Sequence, residues 1–223
     1  MVSQEVFRAE CYRCHKPVLT CICARLPLVN NRTEVIVLQH PRERLHPIGT
    51  ARFARLGLAR STVHVAWNAG AAESEPPEWL EPGTGLLYPS PHAQLLETLP
   101  SEARPERLLV LDGTWHTAKT LYRDKHWLHQ LPHYRLAPEQ PGRYRLRREP
   151  RHDYVSTIEA IVEALGILEP ETPGLQELLR AFDAMIDLQI DLASERKGDK
   201  RTRKRRRPKG MRRIPHALIE GYS

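Results

Sequence analysis

The chain reads as an α/β protein built on a mostly parallel sheet flanked by helices. Three observations predict this. Short apolar runs recur along the chain, helix-period segments alternate with them, and one run, Leu108-Leu109-Val110-Leu111, ends abruptly in Asp112-Gly113-Thr114-Trp115. A short apolar run of this kind reads as a strand buried on both faces. Strands that alternate with helices imply parallel pairing. Ligands bind such sheets just beyond the carboxyl ends of the strands, so Asp112 and Trp115 lie where chemistry is usually done.

The elements follow in order. Residues 34–40 form a first strand, ended by His40-Pro41 because proline cannot continue a central ladder. Gly49-Thr50-Ala51-Arg52 opens a helix that runs to about residue 58. Residues 62–67 form a second strand, and 69–82 a loop rich in Glu, Pro and Ala. A third strand, 85–88, is closed by Pro89-Ser90-Pro91; a fourth covers 107–112 and a fifth 133–137. Helices are expected near 91–98, 115–125, 156–166 and 174–194, the last capped by Thr172 with Pro173 at its first position. Ser156 and Glu159 fit the S-x-x-E capping box ahead of an apolar run, and a helix N-terminus is also a place to hold a carboxylate. Neither G-x-x-x-x-G-K-[ST] nor G-x-G-x-x-G occurs, so the sequence does not support a P-loop or a dinucleotide fingerprint.

A chain of 223 residues with 40% hydrophobic content can bury one solid core. No window approaches the roughly 20 apolar residues that span a bilayer, and residues 1–10 lack a signal-peptide core. A cytoplasmic protein without a membrane partner or an evident obligate protein partner is the expectation. Of the formal charge of +7, residues 196–223 carry twelve Lys/Arg against two acids, or +10, which leaves −3 for residues 1–195. The organisation expected is a metal-binding segment over 1–30, an α/β domain over 31–195 and a basic tail over 196–223. The tail cannot pack a core and is expected to be disordered when free. It is either a solubilising segment or an RNA arm, with Arg203, Lys204, Arg205, Arg206 and Arg207 as its densest part.

All four cysteines, Cys11, Cys14, Cys21 and Cys23, fall in the pattern C-x2-C-x6-C-x-C. Four thiolates at these spacings suit a structural, tetrahedral zinc ion. Disulfides are the alternative, disfavoured in the cytoplasm. His15 is a spare ligand, but four cysteines already complete the shell and leave no open position for catalysis.

Taken together, these motifs resemble the DTW-domain family, named for its Asp-x-Thr-Trp motif. Asp112-Gly113-Thr114-Trp115 carries the resemblance, with the cysteine cluster, Gly49-Thr50-Ala51-Arg52, Tyr88-Pro89, Tyr144-Arg145-Leu146-Arg147 and Ser156-Thr157-Ile158-Glu159-Ala160 in the same order. The resemblance implies a SPOUT-like fold with a trefoil knot. It also implies transfer of the 3-amino-3-carboxypropyl group of S-adenosylmethionine to N3 of a tRNA uridine. By the same resemblance, Leu87, Tyr88, Pro89, Ser90, Leu111, Gly113, Thr114, Trp115 and Thr157 wall the donor. A methyltransferase on the same donor, or a non-enzymatic zinc-containing RNA-binding protein, are the alternatives.

Uracil N3 is a poor nucleophile until its proton leaves. Asp112 is the candidate base, because a carboxylate shielded from water holds a proton more strongly. Its other reading is a turn organiser with Gly113. Trp115 stacks on adenine or uracil, or serves as a core aromatic. Arg52, Arg145 and Arg147 grip the donor carboxylate or tRNA phosphates, or are simply solvated.

If the tail is an RNA arm, removing residues 196–223 weakens tRNA binding and flattens its salt dependence. Each lost phosphate contact lowers the log–log slope by about 0.9 on duplex or about 0.7 on single strands. A titration at several salt concentrations checks this; an unchanged slope means the tail does not touch RNA.

Overall fold

The computed structural model describes residues 9–44, 46, 49–68, 72–137 and 155–205, with side chains to residue 194. Six strands, β1 (Glu34–Gln39), β2 (Ser61–Val65), β3 (Thr84–Leu87), β4 (Gln94–Leu95), β5 (Arg107–Asp112) and β6 (His133–Arg135), form one sheet. Their order is β2-β1-β5-β3-β6-β4, and every pairing is parallel. Helices α1 (Ala51–Gly57), α2 (Trp115–Asp124), α3 (Thr157–Leu168) and α4 (Leu175–Arg205) cover its faces.

The central strands are apolar on both sides because both sides are covered. Val35, Val37, Leu108 and Val110 face one core with α1, α3, α4 and the cysteine segment. Ile36, Leu38, Leu109 and Leu111 alternate onto the other face with Ala118 and Leu121 of α2 and with Trp127. This is the period-2 alternation of a strand, read here with no polar face. In the larger core Phe182 of α4 meets Phe53 of α1 edge-on, with ring centroids 5.6 Å apart.

The ends of the elements follow from capping. His40 ends β1 and caps a 3-10 turn, Pro41–Glu43, its Nδ1 accepting from the Arg42 amide at 3.2 Å. Thr114 caps α2, its hydroxyl accepting from the Thr117 amide. Ser156 and Glu159 form the expected capping box on α3.

Four expectations are corrected. The segment 91–98 is not a helix: Gln94–Leu95 pairs with β6 and a 3-10 turn, Leu96–Thr98, follows. Pro91 and Pro100 leave little chain between them, and the strand edge offers its ladder instead. Thr172 does not cap α4. Its hydroxyl donates to the buried Glu169 carboxylate at 2.6 Å, which also takes the amides of Arg32 and Thr33, and α4 starts after Gly174 with φ of 89°. β2 stops at Val65, which leaves Trp67 in a turn. Finally, α4 continues into the basic segment as far as Arg205. Lys and Arg are good helix formers, and extending an existing helix needs no new nucleus. The expected Tyr144-Arg145-Leu146-Arg147 segment lies outside the described residues.

Phe182→Ala is expected to destabilise the chain by about 3–5 kcal/mol, since it opens a cavity where α4 meets α1. Denaturant unfolding checks this, and a loss below about 1 kcal/mol would contradict the packing.

Candidate active site and metal centre

Parallel register brings three strand ends level. Val65 of β2 pairs with Gln39 of β1, and Gln39 pairs with Asp112 of β5. Asp112 is buried and does not face a turn alone. Its Oδ2 accepts from Gln39 Nε2 at 2.8 Å, and its Oδ1 accepts from Thr157 Oγ1 at 2.8 Å and Thr50 Oγ1 at 3.2 Å. Thr157 opens α3 and Thr50 immediately precedes α1, so one carboxylate joins two strand ends to two helix starts. Positive helix termini favour negative charge there.

Burial pushes the Asp112 carboxyl above the ordinary carboxylate range. Bonds from Gln39 and Thr157 oppose that rise, the nearby charge of Glu43 adds to it, and the bond from Thr50 opposes it. A carboxylate offers about four acceptor positions, and three are taken, so one remains for a proton.

Gly113 has a steric reason. A Cβ there would run into Thr117 Oγ1, so the Asp-Gly turn admits no side chain. Trp115, 38% exposed, opens α2 beside this turn. After β3, Leu87 is buried, but the Tyr88 ring stacks on Tyr122 with centroids 4.2 Å apart. Ser90 Oγ donates to His133 Nδ1 at 2.8 Å, the tautomer fixed by a 2.9 Å bond from His133 Nε2 to the Leu128 carbonyl. The Ser90 hydroxyl is thus committed to His133, and the Tyr88 ring to Tyr122. Pro89 is exposed between them. Arg52 donates to the carbonyls of His46 at 3.0 Å and Arg44 at 3.4 Å, so it holds the loop after β1. It also lies within electrostatic reach of Cys14 and Asp112. Arg145, Arg147, Arg206 and Arg207 lie outside the described residues, and Arg203, Lys204 and Arg205 are described only as helical backbone.

Sequence reasoning missed Gln39 as a partner of Asp112. A polar residue closing an apolar strand was the available signal. Thr50 was singled out within a motif, but its bond to Asp112 depends on a register that only the fold supplies.

The four cysteine sulfurs lie within 4.8 Å of one another, with Cys11 to Cys23 and Cys14 to Cys21 at 3.7 Å. Those separations exclude disulfides, whose sulfurs lie about 2.05 Å apart. They match the edge of a tetrahedron with metal–sulfur bonds of about 2.3 Å, which is about 3.8 Å. The cluster can therefore hold a metal ion. Burial, then the neighbouring thiols, push the Cys23 thiol up to about 12, because four close sulfurs cannot all ionise without a cation. His15 is exposed and takes a left-handed φ of 53° to close the C-x2-C turn, its amide donating to the Cys11 carbonyl. The centre docks on the body through Lys16, buried beside it with Nζ 3.2 Å from Met185 Sδ of α4.

Fold and site define an α/β protein with a caged carboxylate at the carboxyl ends of a parallel sheet and a four-cysteine cluster that can hold a metal ion. The chain belongs to the DTW-domain family: the family model described as "DTW domain" matches residues 8–190. It is 30% identical over 191 residues to a Drosophila melanogaster protein named tRNA-uridine aminocarboxypropyltransferase 2, covering 82% of this chain and 76% of that one. A Mus musculus protein of the same name is 30% identical over 192 residues, covering 82% of this chain and 64% of that one. An Arabidopsis thaliana protein named tRNA-uridine aminocarboxypropyltransferase A is 26% identical over 220 residues, covering 82% of this chain and 81% of that one. The chain is a transferase of this family. No solved structure matches it. Among the described residues, no helix is long and apolar enough to cross a membrane.

Cys21→Ser is expected to lower both bound metal and folding yield, since metal binding and local folding are coupled. Elemental analysis against protein concentration checks for one ion per chain. A metal-free wild-type chain that keeps its fold would contradict the assignment.

Proposed function

We propose that this chain transfers the 3-amino-3-carboxypropyl group from S-adenosylmethionine to N3 of a uridine in tRNA, giving acp3U and methylthioadenosine. The observation that carries the reading is the caged Asp112 in the DTW motif, together with the names of the relatives. S-adenosylmethionine is the group donor, zinc is the metal held by Cys11, Cys14, Cys21 and Cys23, and the working compartment is the cytoplasm. The SPOUT-like, knotted arrangement belongs to the same reading.

Asp112 takes the N3 proton on its remaining acceptor position. N3 then forms a bond to the terminal carbon of the aminocarboxypropyl group, the carbon–sulfur bond breaks, and its electron pair stays on sulfur. An anion and a sulfonium become two neutral partners, so a dry site favours the step. Which substituent leaves sulfur depends on which carbon lies in line with N3. Leu87, Leu111, Gly113 and Trp115 form the walls, and Tyr88, Pro89 and Ser90 contribute backbone. Thr114 orders the turn by capping α2. Thr157 positions the Asp112 carboxylate from α3. Arg52, Arg145 and Arg147 are the groups assigned to the donor carboxylate or the RNA phosphates, and the Arg203-Lys204-Arg205-Arg206-Arg207 run is assigned to RNA.

Asp112→Asn tests the base. The amide oxygen can still accept from Thr50 and Thr157, and Gln39 can turn its carbonyl toward the new amide, so the fold and donor binding survive. Turnover falls by about a hundred- to ten-thousandfold. The sign of the pH dependence follows from the raised carboxyl: wild-type kcat/KM climbs as pH rises through a value above the ordinary carboxylate range. The mutant lacks that limb and recovers only at higher pH, where solvent deprotonates the uridine. Near-normal turnover of the mutant at neutral pH would contradict this role.

A further inference from the structure

Two large rings on the described surface are more than half exposed. Tyr12 is 90% exposed and Trp67 is 66% exposed. Each is accompanied by arginine. The Arg44 guanidinium lies 5.1 Å from the centroid of the Trp67 ring. Arg13 follows Tyr12 in the C-x2-C turn, and its carbonyl accepts from Arg55 of α1 at 2.9 Å. α1 links the two places, because Arg52, one turn before Arg55, donates to the Arg44 carbonyl. The Trp67 end lies near Asp112. The Ala66 amide donates to the Gln39 carbonyl at 2.9 Å, and Gln39 is level with Asp112. Two strand spacings separate β2 from β5, roughly 10 Å.

Charge follows the same track. Residues 9–60 hold nine Lys/Arg and three acids, a net of +6, whereas residues 61–195 hold twelve and twenty-one, a net of −9. Of that +6, the cysteine segment 9–23, the loop 41–50 and α1 supply +4. An exposed cation–π contact is worth only about 0.5–1 kcal/mol, too little to account for leaving an indole in water. Aromatic platforms joined by cationic side chains are the means by which single-stranded nucleic acid is held without sequence readout.

We propose that the ridge from Tyr12 along α1 to Trp67 binds single-stranded RNA, with the two rings stacking on bases and Arg13, Arg44 and Arg55 meeting phosphates. Trp67 takes a base close to the modified uridine, and Tyr12 takes one further along the strand. The proposal rests on the RNA substrate assigned above, and names the residues that would hold the RNA outside the reaction centre.

The test uses the full, metal-loaded chain, a fluorescein-labelled oligouridylate and bulk tRNA, titrated at several salt concentrations. Trp67→Ala and Tyr12→Ala are each expected to raise Kd roughly five- to a hundredfold without changing the salt slope, and Trp67→Phe to restore most of the loss. Arg44→Gln lowers the slope by about 0.7. Metal content and S-adenosylmethionine binding stay at wild-type values in all four, because the altered side chains are exposed. If both alanine variants bind both RNAs as wild type does, the ridge is wrong, while aminocarboxypropyl transfer by the wild-type chain keeps the enzymatic reading intact. If the wild-type chain binds neither RNA, the substrate assignment and the ridge fall together.

Discussion

One buried carboxylate fixes the geometry of the site. Asp112 ends β5 under cover, and its oxygens are reached by Gln39 from β1, Thr50 before α1 and Thr157 from α3. Removing a buried carboxylate from three donors would leave each donor unpaired, at about 1–3 kcal/mol apiece. The same arrangement sets how strongly the carboxyl holds a proton. Burial raises the proton affinity of the carboxyl, and the three donors limit that rise.

The cysteine cluster is tied to that part of the fold by side-chain contacts. It docks through Lys16 against α4, and Arg13 is tied to Arg55 of α1. α1 starts beside Thr50, one of the three donors to Asp112. One short helix thus joins the cysteine segment to a residue that donates to Asp112. Four thiolates would close a tetrahedral shell, so an ion held there would have an architectural place.

Much of this was legible in the sequence. The apolar runs at β1 and β5, the S-x-x-E box on α3 and the spacing of the four cysteines each carry a local physical signature, and each is found in the structure. Local signatures also misled. Thr172-Pro173 has the form of a helix start, but the buried Glu169 carboxylate captures the threonine hydroxyl and moves the start to Leu175. The segment 91–98 looks helical until the free edge of β6 is present to pair with it. Gln39 as a partner of Asp112 was not legible, because the bond depends on register between strands more than seventy residues apart in the chain.

In the proposed reaction Asp112 activates a uridine toward the aminocarboxypropyl carbon of the donor and not toward its methyl carbon. The by-product decides it most directly. Purified chain, tRNA and S-adenosylmethionine are incubated together, and the small molecules are separated by chromatography with mass detection. Methylthioadenosine is expected to form in step with acp3U in the digested tRNA. S-adenosylhomocysteine in step with a methylated nucleoside would contradict it.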